Sequence, residues 1–421
     1  MSSPILPTNI AFFWVFAATY LLHEIVILIL DALNYAHTKK QKLPPDFFKD
    51  RISIETFQKS KSYTLDKLRF GIFSRLMHIP FFWFLILLGG FNALDFYATN
   101  LTEAGTLTHS VLFTVFVGLY FGVVGLPFRI YSVFVIEERH GFNKTTLTTF
   151  IVDLIKGLLL SFILGLPILY LLYWFMHTAG NTWWFYAWAA LTSFQILIAA
   201  VFPTFLAPIF NKFTPLADQE LNDRIVELAR RIRFKMTGVF TVDGSRRSGH
   251  SNAYFAGMGR FRRIVLFDTL MKQLTSDELI AVLAHEMGHN VKKHIVKSML
   301  LSAALSLVGF YVLSLLITWS DFYTAFNVAK ASPHTALVIF SITSETFTFF
   351  LTPIMNLWSR KNEFEADRFS IETTGSKAAM KNALVKLTEE NLSNLAPHPA
   401  YSFYHYSHPT TPERARAIDK H

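Results

Sequence analysis

The sequence predicts an all-α polytopic membrane protein of seven transmembrane helices that carries one cytosolic α+β domain. Three observations predict it. Of 421 residues, 52% are hydrophobic, 16% aromatic and only 16% charged, whereas a soluble domain carries about 25% charge. Seven stretches are apolar over the roughly 20 residues that a bilayer-spanning helix needs. Between the fifth and the sixth lies a long polar stretch that mixes strand and helix character.

The seven stretches run at 10–33, 71–94, 108–135, 150–176, 183–206, 298–319 and 336–358. Residues Met1–Asn9 hold no basic n-region and no A-x-A cleavage site, so the first apolar run is expected to stay in the protein. The connections alternate in charge. The first contains Lys39, Lys40, Lys42, Lys49, Arg51, Lys59, Lys61, Lys67 and Arg69, and the second has Asp95 and Glu103 but no Lys or Arg. The third has Arg139 and Lys144, the fourth has no charge, the fifth is strongly basic and the sixth has only Lys330. Basic loops favour the cytosolic side, which puts the N-terminus outside and the long fifth loop and the C-terminus in the cytosol. The expected organisation is 1–206 as spans one to five, 207–297 as a cytosolic domain, 298–358 as spans six and seven, and 359–421 as a cytosolic C-terminal segment.

Within the fifth loop, Val239–Val242 and Arg263–Phe267 read as short strands from their β-branched and aromatic content. Thr275 with Glu278 three residues on reads as a capping box. The helix it starts passes through His285 to His289 and is expected to run on into the sixth span.

The chain has no cysteine, so any metal must be held by histidine and carboxylate. His285-Glu286-Met287-Gly288-His289 is an HExxH motif. Histidines four apart share a helix face and can reach one ion, and Glu286 lies where it can take a proton from the attacking water and pass it to a leaving amine. The motif alone leaves a chance occurrence open. A catalytic zinc needs a third protein ligand. Lys292 and Ile295 stand where an extended His pattern would need Gly and His, and the twenty residues that follow are the apolar sixth span. Glu345 falls inside the seventh span. Glu363 fits better, because an up-down pair of spans returns it to the membrane face of His285 and His289, within roughly 15 Å of it. In Ser359-Arg360-Lys361-Asn362-Glu363-Phe364-Glu365-Ala366-Asp367, Glu363 and Asp367 share one face and Glu365 points away. Glu363 is assigned to the metal and Asp367 to orienting a ligating histidine. Removal of Glu365 is expected to matter little. His294, five residues after His289, lies off the ligand face and is expected to be an outer partner of the site or solvated rather than a ligand.

These residues, together with Ser407-His408-Pro409 and Glu413-Arg414, resemble the integral-membrane CAAX prenyl endopeptidase family. Ile136-Glu137-Glu138-Arg139-His140-Gly141-Phe142-Asn143-Lys144-Thr145 and Ser251-Asn252-Ala253-Tyr254-Phe255-Ala256-Gly257 extend the likeness to nearly the whole chain. The resemblance implies a zinc-metalloprotease domain with one Zn2+, cleaving near the C-terminus of prenylated peptides, and a ring of spans around an aqueous chamber. It implies that His285, His289 and Glu363 bind zinc, that Glu286 is the general acid/base and that His408 stabilises the oxyanion with support from Arg414. Asn252, Ala253, Tyr254 and Phe255 would be the edge strand that pairs with substrate. The partners implied are a prenylated or hydrophobic peptide and the lipid bilayer, with no nucleic acid. The lack of a C-terminal ER-retrieval signal and the compact length point to a bacterial inner membrane rather than the ER.

His23, Glu24, Arg129, Asp153, Lys156 and Glu345 fall inside the spans, where ionisable groups cost several kcal/mol facing lipid; they are expected to face a wet interior or one another. Two other functions compete with the first: a membrane quality-control metalloprotease of the heat-shock type, which typically has fewer spans, and a seven-span transporter or receptor with an accidental HExxH. The latter gives no reason for a third carboxylate on the motif's side of the membrane.

Overall fold

The computed structural model describes residues 11–256 and 262–421. Gly257 of the quoted stretch and Met1–Asn9 lie outside the described residues. Among the described residues, seven helical segments are long and apolar enough to cross a membrane: Ala11–Lys40, Ile54–Leu87, Leu107–Glu137, Leu147–Thr178, Gly180–Phe210, His294–Leu316 and Pro333–Thr374. Large apolar side chains such as Val123, Ile163, Leu197 and Leu300 stand exposed along them, as expected of surfaces that meet lipid rather than water.

The second span departs from the sequence expectation. It starts at Ile54, where the Ser53 hydroxyl accepts from the Thr56 amide at 3.0 Å, and it ends at Leu87 rather than 94. Gly89 adopts φ +69° and a separate helix, Gly90–Leu101, follows. A β-carbon on Gly90 would lie 2.8 Å from the Leu85 Cα, so the Gly-Gly pair permits a tight reversal inside an apolar run. Hydropathy does not register such a break.

One end of the bundle is packed solid. Phe16, Ile86, Phe91, Phe113, Ala187, Phe322 and Phe326 form one buried cluster drawn from spans and connections on the side where the N-terminus begins. Deeper in, the packing opens into a 690 Å³ cavity lined by Tyr20, His23, Glu24, Arg75, His78 and Glu345 among others. Glu24, Asp153 and Lys156 find partners, as the cost of exposing them to lipid requires, and Glu345 faces the cavity. Arg75 Nη1 lies 3.0 Å from Glu24 Oε2, Asp153 pairs with Arg247 at 2.7 Å, and Lys156 donates to the Ile209 carbonyl oxygen at 2.9 Å.

The polar region holds a four-stranded sheet of β1 Phe213–Pro215, β2 Gly238–Val242, β3 Ala253–Ala256 and β4 Arg263–Phe267, in the order β1-β2-β4-β3. β2 and β4 run parallel, and the other two pairings are antiparallel. β3 is therefore an edge strand. The helix Gln219–Arg231 is capped by Asp218 and buries Leu221, Ile225 and Leu228, four and three residues apart, on the same core as Val239, Ile264 and Leu266. That core also takes Leu279, Leu283 and Met287 of the helix Ser276–Val291, so the sheet fixes the helix that carries HExxH.

Candidate active site

The helix Ser276–Val291 begins with the expected capping box between Thr275 and Glu278. It does not continue into the sixth span. Lys293 takes φ +59° and His294 starts a new helix in another direction. The second supporting element is the helix Thr352–Thr374, joined to Pro333–Thr348 through a single 3-10 turn at Phe349–Leu351. At 1.5 Å per residue the combined segment is about 60 Å long, twice a hydrocarbon core, so its end carries Glu363 and Asp367 clear of the membrane. Gly288 lets these two helices touch: a β-carbon there would lie 3.1 Å from Phe369 Cδ1 and 3.3 Å from Ala366 Cα.

Their contact brings the expected ligands together. His285 Nε2 and His289 Nε2 lie 3.1 Å apart. Glu363 Oε2 lies 3.4 Å from the first and Oε1 3.2 Å from the second, and one donor atom from each of the three residues lies within 4.8 Å of the others. Two donors bound at about 2.0–2.1 Å in a tetrahedron stand roughly 3.3 Å apart, the spacing of each of these pairs. The Glu363 Oε2 atom is buried without a hydrogen-bond partner, which a bound cation would remedy. Charge agrees as well. Glu286, Glu363 and Asp367 against Arg414 leave two negative charges when the imidazoles are neutral, which one divalent ion neutralises. The residues present fit a zinc-class metal.

The outer partners set the tautomers. Asp367 Oδ1 lies 2.8 Å from His285 Nδ1 and accepts its proton, which turns the Nε2 lone pair inward. Asp367 is itself held by Arg414, whose Nε donates to Oδ2 at 2.8 Å. Arg414 is buried and also lies 3.5 Å from Glu363. Leaving such a buried carboxylate unpaired costs about 3–5 kcal/mol, so Arg414 serves the ligand cluster. Against burial and the Arg414 charge, the carboxylates of Asp367 and Glu363 push the His285 imidazole up to about 9. The metal-free cluster therefore holds a proton at neutral pH that a metal must displace. Burial also raises the Glu286 carboxyl above its ordinary value, with the two imidazoles pulling the other way; a base poised nearer neutrality suits proton transfer in both directions.

His289 has an outer partner in His294, one of the two places that spacing left open for it. Because the chain kinks at Lys293, His294 returns over the ligand helix with its Nδ1 3.0 Å from His289 Nδ1. His294 Nε2 in turn lies 3.0 Å from Glu365 Oε2. Glu365 does point away from Glu363, but towards this relay, a contact that the sequence expectation for it did not include. Glu365→Ala and His294→Ala are expected to weaken metal affinity by about 10–100-fold, the usual effect of losing such an outer partner. Competition with a chelator of known affinity measures it; unchanged affinity in both would leave the relay without a role at the metal.

His408 reaches the cluster from the C-terminal segment. Its Nε2 lies 3.3 Å from Glu363 Oε1 with 65% of its side chain exposed, an open position beside the ligands. Asn252 precedes β3; its carbonyl oxygen accepts from the Phe267 amide at 3.1 Å and its side chain is exposed. Ala253 is buried, and Tyr254 and Phe255 are half-buried. An unforeseen clamp holds the entry to this strand. Asn391 Oδ1 accepts from the Ser251 amide at 3.1 Å and from His250 Nδ1 at 3.0 Å, Phe142 stacks on the His250 ring at 3.8 Å, and the Tyr63 hydroxyl of the second span donates to Glu137 at 2.7 Å beside His250. Glu137 and Phe142 sit in one of the stretches that carried the family resemblance, the one signal that marked them. An 810 Å³ cavity runs past Tyr63, His250, Asn391, His408 and Arg414, and it shares Lys67 and Gly71 with the bundle cavity.

A metal-ligand triad with a neighbouring glutamate, on the polar flank of a seven-span bundle, defines an integral-membrane metalloendopeptidase. The chain belongs to peptidase family M48: the sequence model of that family matches residues 215–421, and one described as CAAX prenyl protease N-terminal, five membrane helices, matches residues 34–212. The CAAX prenyl protease 1 homolog of Arabidopsis thaliana is 38% identical over 381 residues, 87% of this chain and 88% of that protein. CAAX prenyl protease 1 of Saccharomyces cerevisiae is 37% identical over 411 residues, 92% of this chain and 90% of that one. The crystal structure of S. mikatae Ste24p superimposes with a TM-score of 0.92 at 35% identity, covering 97% of this chain and 99% of that one.

Proposed function

We propose that this membrane metalloprotease cleaves prenylated CAAX-type peptides near their C-terminus, using one zinc ion held by His285, His289 and Glu363. The observation that carries the metal assignment is the convergence of those three residues, with one donor atom of each within 4.8 Å of the others. Bound there, zinc would polarise the scissile carbonyl and lower the pKa of the attacking water to about 7.

The chain's own residues do the rest. Glu286 takes the proton from the attacking water and delivers it to the leaving amine. His408 Nε2 donates to the carbonyl oxygen as it gains charge, a contact formed mainly in the transition state. Asp367, held by Arg414, orients His285. The open edge of β3, with Asn252, Ala253, Tyr254 and Phe255, adds the peptide as a further strand. Residues 207–297 and 359–421 work as one catalytic body, and 1–206 with 298–358 supply the membrane part. The continuity of the two cavities at Lys67 and Gly71 supports a peptide lying in the outer one with its prenyl tail in the bundle.

The basic loops support a cytosolic catalytic body and an external N-terminus. Relatives from plants and fungi speak for a eukaryotic membrane rather than the bacterial inner membrane that the length suggested.

Cleavage of two peptides of identical sequence, one farnesylated and one not, tests the substrate class. The prenylated peptide is expected to be cut with at least about tenfold higher kcat/KM, the equivalent of burying a couple of methylene groups. Equal rates on both would make the enzyme a general membrane endopeptidase.

A further inference from the structure

The geometry points to a second metal site, formed by Asp95, His109 and His334 at the end of the bundle away from HExxH, that takes one zinc-class divalent cation. One donor atom of each residue lies within 4.8 Å of the other two. The three come from separate elements: Asp95 from Gly90–Leu101, His109 from the first turn of the third span and His334 from the first turn of the seventh. His334 and Glu363 are 29 positions apart along that last segment, roughly 40 Å of helix, so this cluster is independent of the proteolytic one.

Hydrogen bonding leaves two arrangements of the donor atoms. The Ser110 hydroxyl has the Thr106 carbonyl oxygen at 3.2 Å and His334 Nδ1 at 3.1 Å and can donate to either. When it donates to Thr106 and accepts from Nδ1–H, the His334 Nε2 lone pair, 2.9 Å from Asp95 Oδ1, is turned towards the cluster and is free for a cation. His109 Nε2 lies 3.3 Å from the same Asp95 oxygen. The Gly105 amide approaches His109 Nδ1 at 3.5 Å, the outer limit of a hydrogen bond, and constrains that ring weakly.

The surroundings suit a metal. Both imidazoles have only 4% of their side chains exposed. Their rings lie 4.8 Å apart, and Phe113 covers His334 at 5.0 Å. A divalent ion uses both imidazoles and the carboxylate at once, and two His with one Asp suit zinc. Asp95 keeps 25% of its side chain exposed, which leaves the ion an entry and room for water as a further ligand. Bound there, it would staple three helix ends beside the aromatic cluster that closes the bundle.

The competing arrangement is a network of hydrogen bonds alone, in which His109 Nε2–H donates to the Thr99 hydroxyl at 3.1 Å, Ser110 donates to His334 Nδ1 and neutral His334 donates Nε2–H to Asp95. Zinc titration of the full-length, chelator-stripped protein in detergent separates the two. The wild type is expected to take up two equivalents tightly, and His285→Ala/His289→Ala is expected to keep one. Adding His334→Gln or Asp95→Asn to that double variant should remove the remaining one. A wild type that saturates at one equivalent, with none left in the double variant, would overturn the second site, whatever the variants do to folding.

Discussion

Glu286→Gln is expected to keep its zinc and lose peptide cleavage by on the order of 10²–10⁴-fold, the span seen when a positioned general base is removed. The substitution preserves shape and volume and deletes only the ability to carry a proton. His285, His289 and Glu363 hold the metal without it, and the charge of its carboxylate is one of three around a site that Arg414 partly balances. The loss should fall in kcat with little change in KM, because the proton moves during the chemical step. Metal content and steady-state kinetics on the same preparation check it. A metal-replete Glu286→Gln enzyme with near wild-type turnover would hand the proton transfer to another group, with His408 the nearest.

Glu363→Ala should act on the metal itself. It removes one of three protein ligands, so the affinity should fall by more than the roughly 100-fold upper range for an outer partner. It also removes the one carboxylate that faces both Nε2 atoms, which lie 3.1 Å apart, and with it a negative charge that would attract a divalent cation there. The order of effect is therefore Glu363→Ala well above Glu365→Ala. Chelator competition run on both variants gives that order directly, and a reversed order would mean that the metal sits on the His294 side of His289.

Much of this site was legible because it follows periodicity. HExxH places two histidines on one face, the capping box fixed where their helix begins, and counting spans returned Glu363 and Asp367 to the same side. In the structure Asp367 meets His285 Nδ1 at 2.8 Å, the contact that spacing by four from Glu363 suggested. The seven spans were legible for the same reason, since lipid imposes a length and a hydropathy that no tertiary contact has to supply. The failures are local backbone events. A left-handed Lys293 is invisible in a run that reads as helix throughout, yet it carries His294 onto His289 and gives Glu365 its partner. Gly89, at φ +69°, breaks the second span inside an apolar run, and Gly90 lets the reversal pack against Leu85. The clamp of Glu137, His250 and Asn391 joins residues separated by more than 100 positions, and one sequence holds no signal of such a meeting beyond the family likeness of its parts. The cluster of Asp95, His109 and His334 was missed similarly, because its members start or flank three different apolar elements.

Anomalous diffraction from crystals of the wild-type protein, collected on both sides of the zinc absorption edge, tests whether His285, His289 and Glu363 hold the catalytic metal. A zinc-specific peak is expected about 2 Å from His285 Nε2, His289 Nε2 and a Glu363 carboxylate oxygen. An absence of zinc-specific density there, or a peak bound instead by His294 and Glu365, would contradict that assignment.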